Sequence, residues 1–262
     1  MRPGAEQPAP RRGPGRRALA VVTVCALALG PAAPAWAEQT ATLTASFQPE
    51  RLGAPTAVTF GFAIASPDGA VPPPLDAVDI RYPAGLGLAT TGLGVASCEA
   101  ARLERSGAGA CPADSRMGSG DALLRFAIGP QVFEEHASLA LVAGPSPDGY
   151  LHVLIAATGT RPVAARVVMS TLLGEGALQI AVPAVPSLPE GPDVAIVSVR
   201  ATLGGALTYY ERTHGHTVAY RPRGVGLPAR CPHGGFPFSA SFTFADGSHA
   251  SARTSVRCPR RR

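Results

Sequence analysis

Three groupings of side chains have the types and spacing that chemistry needs: a histidine pair, adjacent carboxylates, and a serine between glycines. His214-Gly215-His216 sets two imidazoles at spacing two, which an extended chain turns to the same side. Convergent neutral nitrogens of that kind hold zinc or copper, and His233 is the third candidate ligand, with His249 further along. The segment follows Tyr209-Tyr210 and has no accompanying HExxH, so a polar loop that happens to contain histidines is the plainer reading. Glu134 and Glu135 supply two carboxylates, but glycoside hydrolysis needs them to flank a bond at a fixed separation, and neighbours on a strand point to opposite faces. They read as a solvated strand edge. Gly118-Ser119-Gly120 lacks the G-x-S-x-G elbow that activates a nucleophile and reads as a flexible turn. His152, set among Leu151, Val153, Leu154 and Ile155, reads as an ordinary strand histidine. With no P-loop, dinucleotide fingerprint or CxxC present, no catalytic residue and no cofactor is assigned.

The elements that would position such groups begin with an export signal. Arg11, Arg12, Arg16 and Arg17 precede an apolar run from Ala18 to Gly30, and Ala35-Trp36-Ala37 has the small-x-small form that a signal peptidase cuts, so the mature chain is expected to start near Glu38. Arg16-Arg17 also resembles a weak twin-arginine signal, with ordinary secretion the preferred route. Past the cut lie Cys98, Cys111, Cys231 and Cys258, an even number in an oxidising compartment, and therefore two disulfides. Proximity favours Cys98 with Cys111 and Cys231 with Cys258; the first pairing closes a loop of about 14 residues and contributes about 3 kcal/mol. No later apolar run reaches the roughly 20 residues of a membrane span, so no transmembrane anchor is expected.

The net charge of +5 is carried by the two ends of the chain. Five of the 23 cationic residues and one of the 18 acids lie in the expected leader, and Arg260 to Arg262 form a basic tail, which leaves the folded part without the field that nucleic-acid binding needs. Lysine and asparagine are absent, which rules out Lys–Asn crosslinks and N-glycosylation acceptors. The one tryptophan, Trp36, falls in the leader, so the mature chain has no indole platform for stacking sugars.

Period-two alternation dominates what remains. Ala41, Leu43, Ala45 and Phe47 share one face; so do Val58, Phe60, Phe62 and Ile64, then Val78, Ile80 and Tyr82. Further strands are expected near 137–143, 150–157, 163–170, 176–183 and 193–203, divided by proline and glycine. Prolines 183, 186, 189 and 192 recur at the polyproline II period and read as a stiff connector. One helix is expected inside the first disulfide loop, capped by Ser97, running from Cys98 to Arg105 and ending at Gly107. Phe236, Phe238, Ala240, Phe242 and Phe244 form a stripe on the last hairpin. A three-residue loop over 246–248 pairs Phe244 with Ala250 and Phe242 with Ala252, whereas a two-residue loop would set the stripe against His249 and Ser251.

Arg51-Leu52-Gly53-Ala54-Pro55-Thr56 before a strand, Pro83-Ala84-Gly85-Leu86 after one, Cys111-Pro112 leading to Gly118-Ser119-Gly120, and the closing Cys231-Pro232 to Cys258-Pro259 stretch resemble uncharacterised secreted β-rich proteins of high-GC actinobacteria. That resemblance implies export and supplies no functional residue. The expected fold is all-β, an antiparallel β-sandwich of two Ig-like or Greek-key modules, with a signal peptide at 1–37, modules at 38–117 and 118–259, and a tail at 260–262. The expected role is a non-catalytic structural or interaction component of the cell exterior, its partner a cell-wall polymer or an extracellular protein. A ligand or metal module on the His214/His216 loop is the alternative, and a secreted hydrolase with a scattered Ser-His-Asp set the third.

Overall fold

A computed structural model describes residues 39–88, 96–147, 150–205, 208–222 and 224–259; the expected leader and tail lie outside the described residues. The strands are β1 (Thr40–Gln48), β2 (Pro55–Ala65), β3 (Leu75–Arg81), β4 (Gly87–Leu88) and β5 (Arg116–Ile128). Next come β6 (Gln131–Ala143), β7 (Leu151–Thr158), β8 (Arg166–Gly174), β9 (Ala177–Ala181) and β10 (Ala195–Leu203). The last are β11 (Tyr209–Thr213), β12 (His216–Tyr220), β13 (Val225–Gly226), β14 (Phe236–Phe244) and β15 (His249–Val256). The one α-helix among the described residues, α1 (Ala100–Ser106), lies inside the Cys98–Cys111 loop, and the second disulfide joins Cys231 to Cys258.

Thirteen strands join in a single antiparallel sheet, ordered β15-β14-β3-β9-β8-β7-β6-β5-β10-β2 along its main run, with β1 paired to β2. β1 then comes alongside β15, so the sheet nearly closes on itself. The expected pair of modules is thus replaced by one curled sheet. Strands from 38–117 and from 118–259 interleave in it, since β3 pairs with β14 and β9, and β2 with β10. The expected boundary at 117/118 falls inside β5.

The alternation that predicted half-buried strands sorts apolar side chains inward and polar ones outward most plainly in the last hairpin. Ser239, Ser241 and Thr243 of β14, and Ser251, Arg253 and Ser255 of β15, are on the outer face, opposite to Phe236–Phe244 and to Ala250, Ala252 and Val256. This is the reverse of a membrane barrel, which is apolar outside and polar within. No described helix is long and apolar enough to cross a membrane.

One side of the interior is filled with aromatic rings. Phe47 of β1 meets Phe236 edge-on at 5.2 Å, and Phe62 of β2 meets Phe242 at 4.9 Å, joining β1 and β2 to the last hairpin across the closure. The aromatic stripe opposes alanines, as expected, but in a register shifted by two: Phe242 faces Ala250 and Ala240 faces Ala252. The loop has three residues and starts one earlier, at Ala245. Gly247 takes φ +81°, Gly247 N donates to Phe244 O at 2.9 Å and Phe244 N to Ser248 O at 3.0 Å, closing a type I turn with a glycine bulge. Asp246 Oδ1 accepts from Ser248 N at 2.9 Å, which holds Asp246 within the turn.

Three further expectations change. The helix begins at Ala100, two residues late, because Glu99 takes the extended N-cap position and Cys98 N instead donates to Ala143 O at 2.8 Å. The 183–192 segment folds back on itself through a Pro186–Asp193 bridge and Ser187 N donating to Pro192 O at 2.9 Å, so it is a compact loop between β9 and β10 rather than a stiff spacer. Gly118-Ser119-Gly120 is no turn but lies within β5, paired with Leu203, Thr202 and Ala201 of β10. The glycines are there because the two strands approach closely: a Cβ on Gly120 would strike Arg200 O and come within 2.7 Å of Ala201 Cα. We expect Gly120→Ala to lower unfolding free energy by about 1–3 kcal/mol. Gly109→Ala, where a Cβ meets nothing within 4 Å, should change it by less than about 0.5 kcal/mol, both read by urea titration.

Candidate functional site

Beside the aromatic cluster the interior is not filled. A cavity of about 160 Å³ lies between Val58, Phe60 and Phe62 of β2, Ile80 of β3, Leu139 and Leu141 of β6, Ile155 of β7, Leu178 and Ile180 of β9, and Val199, Ala201 and Leu203 of β10. Each is an inward position of the period-two pattern, so the strands that make the sheet also make the wall. No polar atom faces this space. The one polar residue on its lining, Tyr82, contributes its ring and turns its hydroxyl away to donate to Gly174 O at 2.5 Å.

A second cavity of about 70 Å³ follows along the barrel. Its lining takes the next inward residues of the same strands: Ala137 after Leu139 on β6, Ala157 after Ile155 on β7, and Ile196 before Val199 on β10, where a bulge takes up the odd residue. The partition between the two is the cluster of Ala122, Ala137 and Leu139 with Leu124, Ala157 and Val199, half of it alanine. The 159–165 segment and Val182, Pro183 and Val185 cover the far end.

Glu135 lines the smaller cavity and is 1 % exposed. Its Oε2 accepts a hydrogen bond from Val163 N at 2.9 Å, while its Oε1 has no partner among the described residues. Gly159 makes room for this carboxylate, since a Cβ there would run into Oε1 and lie 2.7 Å from Val163 O. Glu134 points the other way and pairs with Arg125 on the outer face, Arg125 Nε donating to its Oε1 at 2.6 Å. The two carboxylates therefore do diverge, as neighbours on a strand must, but the expected solvated edge is correct only for Glu134. The sequence held the signal: Glu135 is in phase with Ala137, Leu139, Leu141 and Ala143, the residues that make the buried face of β6.

The histidines do not assemble a site. His214 and Gly215, at φ 50° and 82°, form the two-residue turn of the β11–β12 hairpin, a separate two-stranded sheet, and His216 opens β12. His233 belongs to the turn before β14, and His249 meets Thr243 on the exposed face of the last hairpin, Nδ1 to Oγ1 at 3.3 Å. Among the described residues no three His, Cys, Asp or Glu side chains group as metal ligands, so His214, His216 and His233 are not brought together. The β11–β12 hairpin has a structural attachment instead. Tyr209 lies under the Arg116 guanidinium at 4.8 Å, and Glu211 Oε2 accepts from Ala113 N at 2.9 Å, next to the first disulfide loop. The four cysteines pair as expected; Cys98, Cys111 and Leu103 of α1 pack with Val142, Leu154 and Ala156 on the outside of β6 and β7.

No family model, no curated protein and no solved structure matches this chain.

Burial pushes the phenols of Tyr82 and Tyr209 above the ordinary tyrosine value; a backbone hydrogen bond from Gly176 opposes the shift at Tyr82, and the Arg116 charge opposes it at Tyr209. A phenol that holds its proton more tightly in the folded chain favours folding below its unfolded pKa of about 10, and that preference is lost as pH rises through the folded value. Stability followed by circular dichroism should therefore fall as pH climbs past about 10, and less steeply in Tyr82→Phe.

Proposed function

We propose that this protein is an exported, non-catalytic binding protein that carries a small apolar molecule inside its barrel. The observation behind the proposal is the 160 Å³ cavity whose wall presents no polar atom. Water against such a wall gives up hydrogen bonds without replacement, and an apolar occupant that covers it gains by burying apolar surface. Ring-sized or short-chain hydrocarbons match the volume. Such a wall has nothing to polarise a bond or move a proton with, which favours carriage over turnover.

The expectation of a component of the cell exterior is thereby narrowed to one whose partner is small and apolar, in place of a wall polymer or a protein. Export, two disulfides and a polar outer surface suit a carrier that must shield such a cargo from water outside the cytoplasm. Naphthalene, whose fluorescence reports an apolar environment, should bind saturably at one per chain. Ala201→Phe, which places a ring in the cavity, should weaken that binding by at least about tenfold while urea stability is kept or raised. Unchanged naphthalene binding in the folded variant would count against the barrel interior as the site.

A further inference from the structure

Of the two oxygens of the buried carboxylate at the far end of the interior, one helps to hold the fold, through Val163 N of the covering segment, and the other has no such role. An acceptor oxygen shut away from water without a donor is costly, and buried polar groups are almost always satisfied. Glu135 Oε1 is such an atom: the residue lines the small cavity and is 1 % exposed, Oε2 already takes the Val163 N–H, and Oε1, packed against Gly159, has no described partner. Glycine at 159 lets the backbone pack directly against it. A leucine at this in-phase position would continue the apolar face of β6; a carboxyl group there instead puts an unsatisfied acceptor in that face.

We propose that the cargo is an apolar molecule with a single hydrogen-bond-donating head group, best an ammonium, that docks on Glu135 Oε1 with its hydrocarbon part in the larger cavity. This inference rests on the carrier reading and sharpens it. The two cavities abut along one strand, Leu139 lining the first and Ala137 and Glu135 the second, so head and tail can reach both ends at once. They pass a partition in which Ala122, Ala137 and Ala157 offer only methyl groups. An ammonium is favoured because charge-assisted hydrogen bonds to a carboxylate are about twice as strong as neutral ones. A carboxylate-headed chain of the same length would set like groups against each other and be excluded.

Displacement of bound naphthalene by octylamine, 1-octanol and octanoate separates the possibilities. Octylamine should compete at least about tenfold more strongly than octanoate in the unaltered protein, with 1-octanol between them. In Glu135→Gln the amine preference should fall to within about twofold, naphthalene binding being unaffected. Ala137→Leu, which thickens the partition without touching the carboxylate, should likewise remove the preference and spare naphthalene, and it serves if the first variant does not fold. Octylamine no better than octanoate, or a preference that survives in both folded variants, overturns the assignment of Glu135 while leaving the apolar carrier standing. Failure of naphthalene itself to bind overturns the carrier reading and this inference with it.

Discussion

A sheet that curls until its first strand meets its last must fill whatever its circumference encloses. Side chains alternate strictly between the faces of a strand, so each strand offers only every second residue to the interior. In small barrels these residues meet at the centre, and in wider ones they leave room. Here both outcomes occur in one molecule. Where β1 and β2 face β14 and β15, phenylalanines reach across and touch. Where β6, β7, β9 and β10 curve away, leucine, isoleucine, valine and alanine are too short to meet, and the cavity is what they leave. The site is therefore made by the inward side chains of the strands themselves, with Phe60, Phe62 and Phe238 on one wall, not by a loop placed on a finished scaffold.

This also explains how the barrel closes without a last ladder. Among the described residues β1 pairs only with β2, and β15 only with β14, although β1 runs alongside β15. Edge strands that find no partner are a hazard, and a packed aromatic layer beneath the seam holds them together from inside. Phe47 of β1 sits on Phe236 and Phe238, the first residues of the stripe on β14. The Cys231–Cys258 bridge joins the chain just before β14 to the chain just after β15, fixing the open end of the hairpin that flanks the seam. The other bridge, Cys98–Cys111, holds a helix against the outside of β6 and β7, behind the wall of the cavity. Covalent and aromatic restraint thus fall at the seam, where no ladder joins β1 to β15, and behind the wall of the cavity.

Much of this was legible in the sequence, and what was not has a physical reason. Local signals carried through: the strand alternation, the helix within the first disulfide loop, both cysteine pairings and the aromatic stripe opposite alanines. Period-two alternation, however, is the same for a sandwich and a barrel. The distinction rests on pairings such as β3 with β14 and β2 with β10, between residues more than a hundred apart, which leave no local trace. Gly118 and Gly120 misled for a related reason, since the close approach of β10 that requires them is a tertiary fact while glycine around serine is locally a turn signal. Glu135 differs: its phase on β6 was readable, and only the habit of placing acids outside hid it.

That misplaced acid bears on what the interior can distinguish. A wall made only of hydrocarbon gains from burial in proportion to area and accepts any molecule of suitable size, so it supplies affinity with little selectivity. Selectivity of a higher order comes from a buried polar group left unpaired when the wrong molecule binds. The two features are kept apart along the barrel, the large apolar chamber on one side of the alanine partition and a single acceptor oxygen on the other. In the proposal, the cost of burying Glu135 falls on the empty protein and would be relieved by an occupant long enough to pass the partition and able to donate at its tip. On the proposed reading, one carboxylate at the end of an otherwise indifferent cavity is enough to make length and head group decide together what such a carrier would accept.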